Sequence, residues 1–246
     1  MAAMRGPLRI AALAAVLAAV AAAPGLAASP PAGPLPGPGE RVGGGTGQVL
    51  APVTARVAPD MRARRVTVLH PIAPLGGGVT TVQITARRAG TDGRQWVRVR
   101  LPIRPNGAQG WIPLDVLRLG STPLRIHVSL GQRRLTVFRS GRAIRQVRIA
   151  VGKPGTPTPV GRFAVAELIR THTPGAFLGP VVFPLTGYSE TLNEFAGGNG
   201  RVAIHGTSLP RLLGTAASNG CIRMHNRDAV ALSRIVRPGT PVRIVR

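Results

Sequence analysis

Little in this chain can build a covalent or metal-held scaffold: of its 246 residues, only Cys221 is a cysteine. One thiol forms no internal disulfide, and without a second cysteine, a CxxC or an HxxxH pair the usual zinc spacings are missing. His205, Cys221 and His225 are the candidate ligands nearest one another, and their spacing fits no such site, so no metal is expected. Aromatic residues make up 3% of the chain. No run interleaves them with basic residues, which argues against an RNA module of the base-stacking kind. Carboxylates are scarce as well: 8 acidic residues face 32 basic ones, a formal net charge of +24, and Lys153 is the only lysine. Such a balance attracts polyanions, and charge alone does not choose among nucleic acid, anionic lipid and anionic wall polymer.

The N-terminus narrows that choice. Arg5 and Arg9 flank the start of an apolar run from Ile10 to Ala23, and Leu26-Ala27-Ala28 offers small residues before Ser29. Residues 1–28 therefore read as a secretory signal peptide, too short and alanine-rich for a membrane span, with an uncleaved anchor as the rival. Export to the wall, periplasm or exterior is the expectation, and it argues against nucleic acid as a partner. An unused thiol outside the cell is an oxidation liability, which favours a role for Cys221. Residues 29–47 are rich in Pro and Gly, cannot bury a core, and read as a linker.

From 48 to 119 the chain carries short β-type runs at Arg65–Leu69, Thr80–Arg87 and Gln95–Leu101. Gly76-Gly77-Gly78, Gly90–Gly93 and Pro105-Asn106-Gly107 separate them as turns. The ending Gly110-Trp111-Ile112-Pro113-Leu114-Asp115-Val116-Leu117 resembles the last strand and short turn of bacterial SH3-like domains. That resemblance implies a small β-barrel, serving either as a wall-binding module or as plain structure.

Beyond Leu124 a period of two returns. Ile126, Val128 and Leu130 alternate with polar residues, Leu135 and Val137 follow, and Val147, Ile149 and Val151 continue the pattern of an antiparallel meander. His127 falls on its polar face. Residues 171–200, dense in Pro and Gly, read as a long loop of the lid or binding-wall type, with His172 an ordinary member. Near the C-terminus Asn226 is placed to cap a helix, with Asp228 in its first turn and Ala229, Leu232, Ile235 and Val236 on its apolar face. Pro238-Gly239 stops that helix, and Val242 and Ile244 close the sheet.

The chemistry gathers between residues 202 and 226. Val202-Ala203-Ile204 reads as a strand that delivers His205, and Gly206 lets the backbone turn at once. Sixteen residues later comes Cys221, in Ser218-Asn219-Gly220-Cys221-Ile222-Arg223-Met224-His225-Asn226. A lone cysteine is either a small buried apolar side chain or, beside an imidazole, a thiolate nucleophile, and the residues alone leave both open.

The pattern H-G-T…S-N-G-C-I-R-M-H-N resembles the signature of the L,D-transpeptidase catalytic domain (YkuD-like), a cysteine acyltransferase family of bacterial cell-wall synthesis. Val151–Phe163 resembles that family's glycine/proline segment before a core strand, and Pro238–Ile244 its closing turn and strand. The resemblance covers residues 123–246. It implies a β-sandwich-like catalytic domain braced by one helix, with no cofactor, and many members have a histidine where this chain has Asn219. Cys221 would be the nucleophile, His205 its base, and the Gly206 carbonyl the group that orients the ring. Gly220, Asn219, Ser218, Arg223 and Tyr188 would serve the oxyanion or the substrate. Substrates would be peptidoglycan stem peptides joined in 3→3 cross-links, and carbapenem-type inhibitors would acylate Cys221. Three alternatives stand: an L,D-carboxypeptidase that uses water as acceptor; a thiol protease or sortase of another family, against which a histidine only sixteen residues before the cysteine argues; and a non-catalytic, basic wall-binding protein.

Overall fold

A computed structural model describes residues 44–171, 175–194 and 198–246. The segment read as a signal peptide, most of the linker, and His172 lie outside the described residues.

The first unit is a seven-stranded sheet. Its strands are β1 (Gly45–Val49), β2 (Val53–Arg56), β3 (Arg65–Leu69), β4 (Thr81–Ala89), β5 (Gln95–Arg100), β6 (Gln109–Pro113) and β7 (Leu117–Ser121). They lie in the order β3-β2-β6-β5-β4-β1-β7, every pairing antiparallel. Val97, Val99, Leu101 and Ile112 meet in its core; on the other face of β5 only Arg98 is half-exposed, since Trp96 and Arg100 are buried too. Two sequence expectations change here. β1 begins at Gly45, inside the stretch read as linker, because Gly47 leaves room that Leu117 fills; a Cβ there would come within 2.7 Å of Leu117 Cδ1. Gly110–Pro113 is also not the last strand. A 3-10 turn over Leu114–Val116 leads into β7, which returns along β1.

The second unit contains the single α-helix of the described residues and two facing sheets, the mainly-β sandwich that the sequence led us to expect. β8 (Leu124–Ser129), β9 (Arg134–Arg139) and β10 (Arg142–Arg148) form the meander, followed by the short β11 (Val151–Gly152). Then come β12 (Gly161–Ala164), β13 (Ile169–Arg170), β14 (Val181–Tyr188), β15 (Arg201–His205), β16 (Ala216–Ser218) and β17 (Ile222–Arg223). Helix α1 (Asn226–Ser233) and strand β18 (Pro241–Val245) complete the chain. A five-stranded sheet, β10-β9-β8-β18-β12, packs on a four-stranded one, β13-β14-β15-β17, and β11 pairs with β16 alone. Ile126, Leu135, Phe163, Phe183, Ile204 and Ile222 sit in the shared core.

The stretch 171–200 is not the open loop expected. It contains β14, whose eight residues are all buried. Pro184 and Gly187 hid this strand, since both normally argue against a strand interior. A register shift between Pro184 and Tyr188 accommodates them, and the Pro184 carbonyl still accepts the Ala166 N–H at 2.8 Å. The helix start also moves by one residue. His225 occupies the N-cap position without a side-chain cap, and Asn226, read as the cap, opens the helix and sends its side chain elsewhere.

A polar seam joins the two units. Glu167, only 4% exposed, accepts N–H groups from Leu75 (3.1 Å) and Gly76 (2.7 Å) of the first unit and pairs with Arg201 at 3.3 Å. Tyr188 Oη donates to the Pro102 carbonyl at 2.6 Å, and the Asn106 side chain brackets the Tyr188 backbone with two 2.8 Å bonds. Arg104 and Arg201 approach the Tyr188 ring at 4.9 and 5.3 Å. Arg201 opens the strand that ends on His205, so the seam holds one end of the strand whose other end presents that imidazole.

Candidate active site

Strand register brings the two reactive residues together. β15 and β17 run parallel, with Ile204 level with Ile222 and His205 level with Arg223. Ile204 and Ile222 are fully buried in the core, so period-two alternation turns His205 and Arg223 to the opposite face. Cys221, one residue before β17, comes level with Ala203 on that same face and is partly buried. Ala150 exchanges two 2.9 Å backbone bonds with Arg223, which locks β17 from its other side.

The turn that presents the thiol is held by hydroxyls. Ser218 Oγ donates to the Cys221 carbonyl at 2.6 Å and accepts the Gly220 N–H at 3.1 Å. Thr158 Oγ1 donates to the Gly220 carbonyl at 2.9 Å and accepts the Gly152 N–H at 2.8 Å. Thr156 donates toward the Ser218 carbonyl and Asn219 Oδ1 at 3.3 and 3.4 Å. Gly220 has φ +111°, outside the range that residues with a side chain normally adopt. Gly152 is needed for another reason, since a Cβ there would lie 2.3 Å from the Thr156 carbonyl oxygen.

His205 is 1% exposed. Its Nδ1 lies 2.6 Å from the Gly206 carbonyl oxygen; a carbonyl only accepts, so Nδ1 carries the ring proton and Nε2 is the basic nitrogen. Burial depresses the imidazole to about 4, helped by the Arg223 charge and opposed by hydrogen bonds to the backbone of Gly206 and Leu178. Burial also pushes the Cys221 thiol up, against a backbone hydrogen bond from Ala203 and the Arg223 charge. Both shifts favour a neutral pair at rest. No hydrogen bond joins thiol and imidazole, a geometry that by itself does not rule out proton transfer between two such groups once a ligand tightens the site.

Arg223 is 6% exposed, and its buried Nε has no partner among the described residues. Burial holds its pKa below the usual guanidinium value, with the nearby Cys221 acting the other way. Its guanidinium lies 4.6 Å from the centre of the Phe177 ring, in the segment before β14. Asn226 Oδ1 accepts the Thr207 N–H at 2.7 Å, and a Cβ on Gly206 would meet that oxygen at 2.3 Å. Gly206, Gly179 and Asn226 therefore pack as one block that fixes the turn after His205.

Residues 123–244 match the family described as the L,D-transpeptidase catalytic domain. YkuD of Bacillus subtilis (strain 168) is 40% identical over 124 residues, covering 50% of this chain and 67% of that protein. The chain belongs to this family. YkuD of Bacillus licheniformis is 41% identical over 122 residues, covering 50% of this chain and 66% of that protein. The chain thus spans about two thirds of the length of both relatives. A crystal structure of an L,D-transpeptidase from Mycobacterium tuberculosis H37Rv aligns with 67% of this chain and 93% of that one, at 16% identity and a TM-score of 0.44.

Within the L,D-transpeptidase domain, Cys221, His205, Gly206, Ser218, Asn219, Gly220 and Arg223 come together, and Tyr188 does not. Tyr188 is level with Arg201 at the far end of β14, while Val182 at the near end is level with His205. The Tyr188 ring and hydroxyl are committed to the seam, because Pro102, Arg104 and Arg201 satisfy them there. Gly220 also departs from expectation: its N–H is taken by Ser218 Oγ. Thr156, Thr158, Phe177 and Asn226 were missed. The threonines sit inside a segment whose glycines and prolines dominate the reading, and nothing local in the sequence pairs them with Ser218.

Proposed function

We propose that this protein is an exported peptidoglycan L,D-transpeptidase that works through a Cys221 thioester. The observation that carries this reading is a buried imidazole, neutral at pH 7, one strand from the sole cysteine and beside a cation with no counter-ion among the described residues.

The chemistry follows from those three groups. His205 Nε2 takes the Cys221 proton as sulfur attacks the carbonyl carbon between the L-centre of the stem's diamino acid and terminal D-alanine. The imidazolium so formed has the Gly206 and Leu178 backbone to support it, and Arg223 favours the thiolate. The oxyanion forms against the Cys221 N–H; removing a single donor of this kind typically costs about 100- to 1000-fold in kcat. Collapse breaks the C–N bond, and His205 returns its proton to the departing D-alanine amine. An acceptor amine then gives a proton to His205, attacks the thioester and frees the thiol, which leaves a 3→3 cross-link. Arg223 suits a stem carboxylate, since a guanidinium binds carboxylate with paired, directed hydrogen bonds. Within this proposal the first unit is the SH3-like positioning module.

The test is product analysis with a diaminopimelate tetrapeptide stem. D-Alanine release with cross-linked dimer supports transpeptidation. Free tripeptide without dimer moves the assignment to an L,D-carboxypeptidase, and no turnover by folded protein leaves the basic wall-binding reading.

A further inference from the structure

The five-stranded sheet has a second face that catalysis does not use. Val242, Ile244, Ile126, Val128, Leu135 and Val137 point from it into the core. The residues between them therefore share the outer face. Across that face Arg162 stands opposite Arg243, Arg243 beside His127, His127 opposite Thr136, and Gln146 opposite Thr136. One row along, Arg134 stands opposite Arg148, and Arg125 shares the face two residues before His127. All five arginines are exposed.

These strands hold no Asp or Glu. The two ion pairs among the described residues, Arg145–Asp228 and Arg201–Glu167, use none of the five. Like charges directly opposite one another on neighbouring strands destabilise a sheet. Here two such pairs stand on one face with no salt-bridge partner among the described residues. At the Arg134–Arg148 end the surface is concave, lined by Gln132, Arg133, Gln146 and Gly214 as well. Five strands spaced ~4.8 Å apart make the row about 19 Å long. The only aromatic residue on these strands, apart from the buried Phe163, is Phe138. Bases would find little to stack on and a bilayer no aromatic anchor, whereas a linear chain of phosphates laid across the five strands meets a guanidinium pair near each end, Arg162–Arg243 and Arg134–Arg148.

We propose that this face binds a linear phosphate polyanion of the polyol-phosphate type. The alternation that buries Ile204 and Ile222 turns His205 and Arg223 away from the core, so polymer face and reactive face lie on opposite sides of the sandwich. Polymer could hold the protein while the thiol side stays free.

Binding is read with no acyl donor, so this proposal and the reading of Cys221 fail separately. Full-length protein is titrated against poly(glycerol phosphate) of fixed length by fluorescence anisotropy at several salt concentrations. The variants are Arg162→Gln/Arg243→Gln and Arg134→Gln/Arg148→Gln. A control of equal charge change, Arg65→Gln/Arg118→Gln, uses exposed positions on the first unit. Each sheet-face variant should weaken binding at least tenfold and lower the log K against log salt slope by about 1.4, at ~0.7 per lost contact with a single-stranded polyanion. The control should stay within twofold, and the sheet-face variants should melt no lower than wild type. Equal losses in the control would overturn the proposal in favour of diffuse net charge. So would sheet-face variants that bind the polymer as wild type does and lose only single-stranded DNA or anionic vesicles.

Discussion

Replacing His205 by glutamine should remove a specific part of the protein's acid sensitivity. In the fold the imidazole sits at about 4, against 6.5 for a free histidine, because burial excludes the charged form. The unfolded chain therefore takes up the proton first as pH falls. The stability tied to the neutral ring is fully present above pH 6.5 and is lost as pH drops toward 4. Below that, both states are protonated and the loss levels off. At 1.36 kcal/mol per unit the loss comes to about 2 kcal/mol by pH 5 and about 3 kcal/mol by pH 4. For a chain of this size ~3 kcal/mol corresponds to a Tm shift of about 6–12 °C. Urea melts of wild type and His205→Gln at pH 7, 5 and 4 isolate this contribution, since the carboxylates titrate alike in both. The wild-type curve should fall more steeply, by about 3 kcal/mol over the range. Parallel curves, or an imidazole that titrates near 6.5 by NMR, would refute the reasoning.

Other outcomes follow from single contacts. Ser218→Ala strands the buried Gly220 N–H and Cys221 carbonyl, at about 1–3 kcal/mol for each unpaired group; kcat should fall at least tenfold with little change in KM. Gly206→Ala drives a methyl into Asn226 Oδ1 and should lower both activity and Tm, whereas Asn226→Ala in the same background should recover part of the Tm. Glu167→Ala leaves Arg201 as an unpaired buried charge and should cost about 3–5 kcal/mol, read by denaturant melts; Glu167→Gln should cost less, because its amide oxygen can still accept the Leu75 and Gly76 N–H groups. Arg223→Gln should raise KM for a stem with a free carboxylate far more than for its amide.

Much of the catalytic half was legible because its signals are local. The period of two in β8 and β9, the apolar run before His205, and the turn residues around Gly220 each depend on neighbours a few positions away. The pieces that were not legible depend on partners far along the chain. β14 looked like a loop because Pro184 and Gly187 weigh against a strand, and only pairing with β15 overrides them. The resemblance leaves Tyr188 either a pocket residue or a partly buried aromatic, and only Pro102 and Asn106 of the first unit decide it, by holding it in the seam. Thr158 braces the Gly220–Cys221 turn from 62 residues upstream, a pairing that neither its type nor its spacing reveals. Asn226 has the chemistry of a cap and spends it on the Thr207 N–H instead.

The measurement closest to the central claim is the intact mass of the full-length protein after brief incubation with a tetrapeptide stem, with Cys221→Ala alongside. The predicted result is a gain equal to the stem minus D-alanine, mapped to Cys221, discharged by an added amine and absent from the alanine variant. Folded wild-type protein that shows no adduct, or an adduct that persists without Cys221, would contradict it.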